Sequence, residues 1–277
     1  MIEAERIRRL NDRPERDGAY VLYWMQQSQR ASFNPALELA VGIGNDRKLP
    51  VVVGFGLMDD YPEANARHYT FMLQGLREVE ATLAARGIAF VIRRGAPDAV
   101  ALDLAADAAL VVCDAGYLRH QRLWRQRLAE GAGCPVLRVE GDAVVPVALA
   151  SAKAEHAART IRPRILRHRD QFLKPLPEQE VVRDARSLGL ASDVDLADVD
   201  ATVAALKLDR SVPPVQRLEG GTSEARRRLE AFCAAFTGYA SGRNQPADWR
   251  CSFMSPYLHF GQISAVEIAL TARDAMA

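Results

Sequence analysis

Apolar residues fall in short continuous runs separated by stretches of helical period. Residues 19–24, Ala-Tyr-Val-Leu-Tyr-Trp, form a run of strand length rich in β-formers. Residues 49–55 predict a second strand with Val-Val-Val at its centre, continuously apolar as a strand buried on both faces should be. Residues 88–92, 109–113 and 135–139 predict three more. Between them lie helical patterns. Asn34-Pro35 starts one that continues over 36–43 and stops at Gly44. Pro62 opens a long one to Arg86, stopped by Gly87, with Phe71, Met72, Gly75, Leu76, Val79 and Leu83 near one face. Residues 97–106 predict a short helix and 118–130 a charged one with Leu123 and Leu128 inward. Residues 3–18 are mostly charged and read as a surface lead-in. The alternation predicts an α/β, Rossmann-like fold: a five-stranded parallel sheet with right-handed crossovers on both faces.

Ligands of such sheets sit beyond the carboxyl ends of the strands, here residues 25–30, 56–60 and 114–118. Residues 26–30, Gln-Gln-Ser-Gln-Arg, lack the glycines that let a backbone approach a pyrophosphate, which disfavours a nicotinamide-type site. They read either as a polar surface loop or as a lining for a chromophore or a domain interface. Residues 151–174 are strongly basic, with Lys153, Arg159, Arg162, Arg164, Arg167, Arg169 and Lys174 against Glu155 and Asp170. Few aromatics interleave with these charges, which favours a solvated helix face over a phosphate-binding stripe. Residues 175–214 are punctuated by proline and acidic in the middle, and read as a linker with short helical pieces. A turn at 220–223 then caps a helix over 224–236 with Ala225, Leu229, Phe232 and Phe236 on one face.

The 277 residues suit about two domains, and a net charge of +1 leaves any grip on nucleic acid to local patches. Four cysteines without a CxxC pair argue against zinc and for a reducing, cytoplasmic setting. No opening apolar run reads as a secretory signal, and no stretch is long enough to span a bilayer. The most chemical stretch is the last. Ser252 and Ser255 precede Pro256, which favours a first helical turn, so free N–H groups and hydroxyls would gather where an anion such as phosphate binds. Gly261 and Gln262 break the pattern, and Ser264 caps a further helix near Ala265. An ordinary helix–turn–helix corner fits the same residues.

Tyr239, Arg243-Asn244 and Pro246, followed by Ser252-x-x-Ser255-Pro-Tyr-Leu-His-Phe-Gly-Gln-Ile-Ser264, resemble the FAD-domain signature of DNA photolyases, specifically class II cyclobutane pyrimidine dimer photolyases. Residues 24–30, residues 114–119 with Trp124-Arg125, and residues 150–153 with 158–160 resemble the first-strand, fourth-strand and interdomain segments of that family. The resemblance implies an α/β antenna domain over 1–148, a basic helix and linker over 149–219, and the start of an all-α FAD domain over 220–277. It implies a light-driven carbon–carbon lyase that splits dimers in UV-damaged DNA by electron transfer from FAD. It further implies a monomer, with a possible second antenna chromophore. The Tyr239 hydroxyl would reach an FAD phosphate, and Ser252, Phe253, Met254 and Ser255 would form the cradle. Arg243 and Asn244 would lie beside the lesion. Phe253 stands where the family usually has a polar residue and Met254 where it has leucine, so side-chain recognition of FAD is in doubt at Phe253.

The family's lesion-facing glutamate, flavin-side asparagine and electron-conducting tryptophans belong downstream of Ala277. Trp24, Trp124 and Trp249 do not replace them. The sequence therefore reads as truncated within the FAD domain, with weak or no FAD binding and no repair by these residues alone. On that reading Leu229, Phe232, Phe236, Tyr257, Leu258, Ile263 and Ile268 lack partners, and the chain after Pro214 is loosely ordered or associating. The alternatives are a cryptochrome-like blue-light receptor, a non-catalytic α/β ligand-binding fragment, and a purely structural fragment.

Overall fold

A computed structural model describes residues 2–248 and 250–276. The loop placement read for Trp249 falls outside the described residues. The strands are β1 (Ile7–Arg9), β2 (Tyr20–Trp24), β3 (Val51–Leu57), β4 (Ala89–Arg94), β5 (Ala108–Asp114) and β6 (Val136–Val139), in the order β1-β6-β5-β2-β3-β4. The five predicted strands are parallel to their neighbours. The sheet has six strands rather than five, because part of the charged lead-in becomes β1 and pairs antiparallel with β6. Its Ile-Arg-Arg carries no apolar signature, and ladder pairing rather than burial makes it a strand. Arg6 pins this edge: its guanidinium donates to the carbonyls of Glu140 (2.9 Å), Ala143 (3.1 Å) and Val144 (2.7 Å).

The helices are α1 (Pro35–Arg47), α2 (Ala66–Ala85), α3 (Pro97–Ala105), α4 (Arg119–Gly131), α5 (Val147–Ala150), α6 (Ala158–Phe172), α7 (Val199–Ala205), α8 (Thr222–Ala234), α9 (Tyr239–Gly242), α10 (Ser255–His259) and α11 (Ala265–Asp274). α1 starts where expected, with Asn34 Oδ1 accepting from the amides of Ala36 and Leu37. It runs through Gly44 to a left-handed Lys48. α2 starts at Ala66 rather than Pro62, because Asn65 closes its first turn by donating its amide to His68 Nδ1. In α4 Leu128 is buried, but Leu123 faces solvent, since Trp124, one residue on, takes the inward position.

Alternate residues of β2 feed opposite sides of the sheet. Val21 and Tyr23 join α1 and α2, while Tyr20, Leu22 and Trp24 join α3 and α4. The acidic segment after Pro175 is not a free spacer. Its Val194, Leu196, Val199, Val203 and Leu206 belong to the core against α2. It also covers the open edge of β4: Asp193 donates to the Ile92 carbonyl, Ser192 Oγ accepts from Ile92, and Asp193 Oδ1 accepts from Arg94. α6 sits on the body through Phe172 and Ile165, and its arginines at 159, 162, 164, 167 and 169 face solvent. Among the described residues no helix is long and apolar enough to cross a membrane.

The carboxyl-terminal segment is docked, not loose. α2 presents a second face, where Phe71 packs with Ala225, Leu229, Met254, Tyr257 and Ile263. Phe71 and Tyr257 have ring centroids 5.1 Å apart. Of the residues expected to lack partners, Leu229, Tyr257 and Ile263 are buried, Phe232, Phe236 and Ile268 half-buried, and Leu258 exposed. Gln262 is the clasp. Its Nε2 donates to the Phe71 carbonyl (3.1 Å) and its Oε1 accepts from the Gly221 amide (2.8 Å), while its own carbonyl accepts from Thr222 Oγ1 (2.7 Å). Two glycines permit the approach. A Cβ on Gly75 would stand 2.2 Å from Gln262 Nε2, and one on Gly261, at φ +65°, would stand 1.9 Å from the Gln27 carbonyl.

Candidate functional site

Two places carry chemistry, and the loop after β2 joins them. At the carboxyl end of the sheet the buried Asp114 is a hub. One carboxylate oxygen accepts from the amides of Gln26 (3.0 Å), Gln27 (2.9 Å) and Ser28 (3.0 Å), and the other from the Tyr23 hydroxyl (2.9 Å). Burial, and then the Asp114 charge, push the Tyr23 phenol well above its usual range. The loop 26–30 is therefore folded over the strand ends. Gln121 Nε2 donates to Gln27 Oε1 at 2.6 Å. The space among Trp24, Gln27, Gly116, Gln121 and Trp124 comes to about 10 Å³. On the outer side of this end, Tyr61, His120 and Trp124 form an aromatic cluster in which the Tyr61 hydroxyl and His120 Nε2 are 2.8 Å apart. The three come from separate parts of the sequence, so no local motif announces them.

The same loop reaches the carboxyl-terminal segment. Arg30 is buried, and its guanidinium donates to the carbonyls of Gly261 (3.0 Å), Gly141 (3.1 Å) and Phe33 (3.2 Å). Ser28 Oγ donates to Asp142 at 3.1 Å. Burial pushes the Asp142 carboxyl from 3.8 up to about 6, assisted by Asp114 and Glu140 and opposed by Arg30 and Ser28. The sign follows: a carboxyl raised in the folded state stabilises the fold below its unfolded pKa, and that contribution is lost as pH rises through about 6. Two pKa units set a ceiling of about 3 kcal/mol. Asp142 is only half-buried, so water screening reduces this to about 1 kcal/mol. Asp142→Asn is expected to stabilise the protein by about 1 kcal/mol near pH 8 and not near pH 4. Urea unfolding across that range measures it, and equal effects at both ends would refute the assignment.

The second place is the corner read as a phosphate cradle. α9 begins at Tyr239, whose ring stacks on Phe236 at 5.8 Å and lies 5.7 Å from the Arg243 guanidinium carbon. The chain then returns over this turn, with Cys251 Sγ 3.8 Å from the Arg243 carbonyl. The structure thus brings the Tyr239–Arg243 turn beside the start of the 251–255 segment. Arg243 and Asn244 are exposed. The hydroxyls of Ser252 and Ser255 make no hydrogen bond among the described residues. Ser255 opens α10, with Pro256 in its first turn. Met254 differs from its neighbours, because its side chain is 3% exposed and packs into the cluster around Phe71. It can offer a ligand only backbone. Phe253 is exposed and has φ +55°, the left-handed region that an aromatic residue rarely adopts.

Unbonded hydroxyls and an exposed guanidinium are the kind of donors that suit a phosphate group. Sequence motifs named Tyr239, Arg243 and the serines as candidates. They did not reveal Gln262, Arg30 or Asp114 as the groups that hold this corner against the sheet. An aspartate closing an apolar strand run was the one signal available for Asp114.

The DNA photolyase family profile matches residues 21–181. Deoxyribodipyrimidine photo-lyase of Methanothermobacter thermautotrophicus is 42% identical over 284 residues, covering 99% of this chain and 61% of the relative. The protein of the same name from Oryza sativa subsp. japonica is 32% identical over 289 residues, covering 97% and 55%. The chain therefore spans about half to three-fifths of the length of these curated relatives. The crystal structure of a bacterial class III photolyase from Agrobacterium tumefaciens superposes with a TM-score of 0.70 at 22% identity, over 93% of this chain and 54% of that one. That likeness concerns the fold.

Proposed function

Since the chain belongs to the DNA photolyase family, we propose that it forms the sheet domain and the opening of the flavin domain of a class II cyclobutane pyrimidine dimer photolyase. On this reading it works as a monomer in the cytoplasm on UV-damaged DNA. Residues 1–148 are the α/β domain, 149–219 the connection, and 220–277 the first part of the flavin domain. One observation carries the proposal. The unbonded hydroxyls of Ser252 and Ser255 stand in and just before the first turn of α10, Cys251 of the same segment meets the Tyr239–Arg243 turn, and the clasp of Gln262 and Arg30 ties that helix to the sheet. The names of the 42% and 32% identical relatives support the same reaction.

A bound flavin would supply light absorption and electron donation to the dimer. The chain's own groups hold and orient it. Tyr239, Ser252 and Ser255 would donate to its phosphate oxygens, Phe253 and Met254 would contribute backbone, and the Arg243 guanidinium and Asn244 amide would face the lesion. A second, antenna chromophore in the α/β domain is part of this reading, and no residue is assigned to hold it.

The test is repair by the purified gene product of an oligonucleotide carrying one thymine dimer, in blue light and in darkness. Light-dependent recovery of absorbance near 260 nm is expected. Flavin binding without repair would move the protein to the receptor class, and light-independent repair would contradict the proposal.

A further inference from the structure

Away from both places, the outer edge of the sheet opens into a groove of about 780 Å³ between β1, β6, the 10–13 loop and α4. Five guanidiniums line it, those of Arg8, Arg13, Arg122, Arg125 and Arg138. The carboxylates in the lining are Asp12 and Glu130, which leaves three positive charges in excess. The arrangement works against the fold. Arg8 and Arg138 stand directly opposite each other in the antiparallel ladder, where like charges destabilise. Arg138 comes no nearer than 3.8 Å to Glu140, and its buried Nε has no acceptor. The guanidiniums of Arg8 and Arg122 make no hydrogen bond or ion pair among the described residues. The Gly116 carbonyl accepts from Arg125 at 2.9 Å, and this steadies the guanidinium in the groove wall.

We propose that this groove binds a small polyphosphate anion through its phosphate oxygens. Guanidiniums pair with phosphate oxygens in a bidentate fork, and such a ligand would satisfy Arg138 and relieve the Arg8–Arg138 repulsion together. Three excess charges call for a chain of phosphates rather than a single one. A nucleic acid strand fits less well, because the cations converge in a concavity instead of tracking along a surface. Among the described residues no aromatic side chain lines the groove to stack a base. Leu10 and Ala129 are its apolar walls and offer no clamp for a nucleobase. The phosphate chain is thus what the site reads, whether it arrives as inorganic polyphosphate or as the tail of a nucleotide. This site is independent of the flavin reading above.

Calorimetry and thermal shift with inorganic tripolyphosphate, ATP and a single-stranded oligonucleotide test it, on the chain and on the R8Q/R138Q double variant. Tripolyphosphate is expected to raise the melting temperature of the natural chain. The double variant should bind it about tenfold or more weakly, yet melt no lower without ligand, since a repulsion has been removed. A groove with only a structural role would not give that combination. ATP binding as tightly as tripolyphosphate means recognition by phosphates alone, and clearly tighter ATP identifies a nucleotide as the source. Both support the proposal. The absence of heat and melting shift with millimolar tripolyphosphate would overturn it. So would unchanged affinity in the double variant, or an oligonucleotide that binds more tightly than tripolyphosphate and is lost in R8Q/R138Q.

Discussion

Gln262→Leu is expected to release the carboxyl-terminal helices from the sheet domain while the sheet stays folded. Gln262 is fully buried, and its amide bridges Phe71 on α2 and Gly221 at the head of α8. Leucine fills much the same volume but leaves the Gly221 amide without its acceptor and the Phe71 carbonyl without its second donor. Each lost partner of a buried polar group costs about 1–3 kcal/mol, so the docked state should lose about 3 kcal/mol. Gly75→Val should act alike from the other side, since its first carbon alone would come 2.2 Å from the Gln262 amide nitrogen. Hydrogen exchange reads the result. Amides of α8 and α11 are expected to lose protection by about a hundredfold, while those of β2, β3 and β5 are unchanged. Uniform loss over the whole chain, or none, would refute the clasp.

Asp114→Ala should have the second large effect, and a global one. Three amides of the 26–28 loop and the Tyr23 hydroxyl would lose their acceptor in a buried place. At about 1 kcal/mol or more for each abandoned donor, the loss is about 4 kcal/mol. Asp114→Asn keeps one acceptor oxygen and should lose about half as much. Urea midpoints measure both, and an alanine variant within about 1 kcal/mol of the natural chain would mean that the loop is held by something else.

The two effects mark what a sequence can and cannot show. The parallel strands were legible because each is a short apolar run between helical stretches, and burial on both faces forces that composition. β1 was not, since an edge strand made by ladder pairing needs no apolar residues. The second face of α2 was also hidden. Phe71 and Gly75 fit the single stripe expected for a helix on a sheet, and only the fold shows that they turn towards Tyr257 and Gln262 instead. The missing partners predicted for Tyr257 and Ile263 were in the sheet domain itself. At the candidate site, Tyr239, Arg243, Ser252 and Ser255 were named by motif, and Arg243 and the serine hydroxyls make no side-chain hydrogen bond among the described residues. Met254 was named with them, but a residue between two exposed positions gives no sequence sign that its side chain turns inward. The Arg8–Arg138 pairing depends on strand register, which the charged lead-in did not disclose.

The most direct measurement compares FAD with riboflavin, which has no phosphates, in the gene product and in its S252A/S255A variant. If the head of α10 holds the diphosphate, the double variant loses about tenfold or more of its FAD affinity while riboflavin binding is unchanged, because only the phosphates lose donors. Equal FAD affinity in the two proteins, or a loss shared equally by riboflavin, would contradict the account.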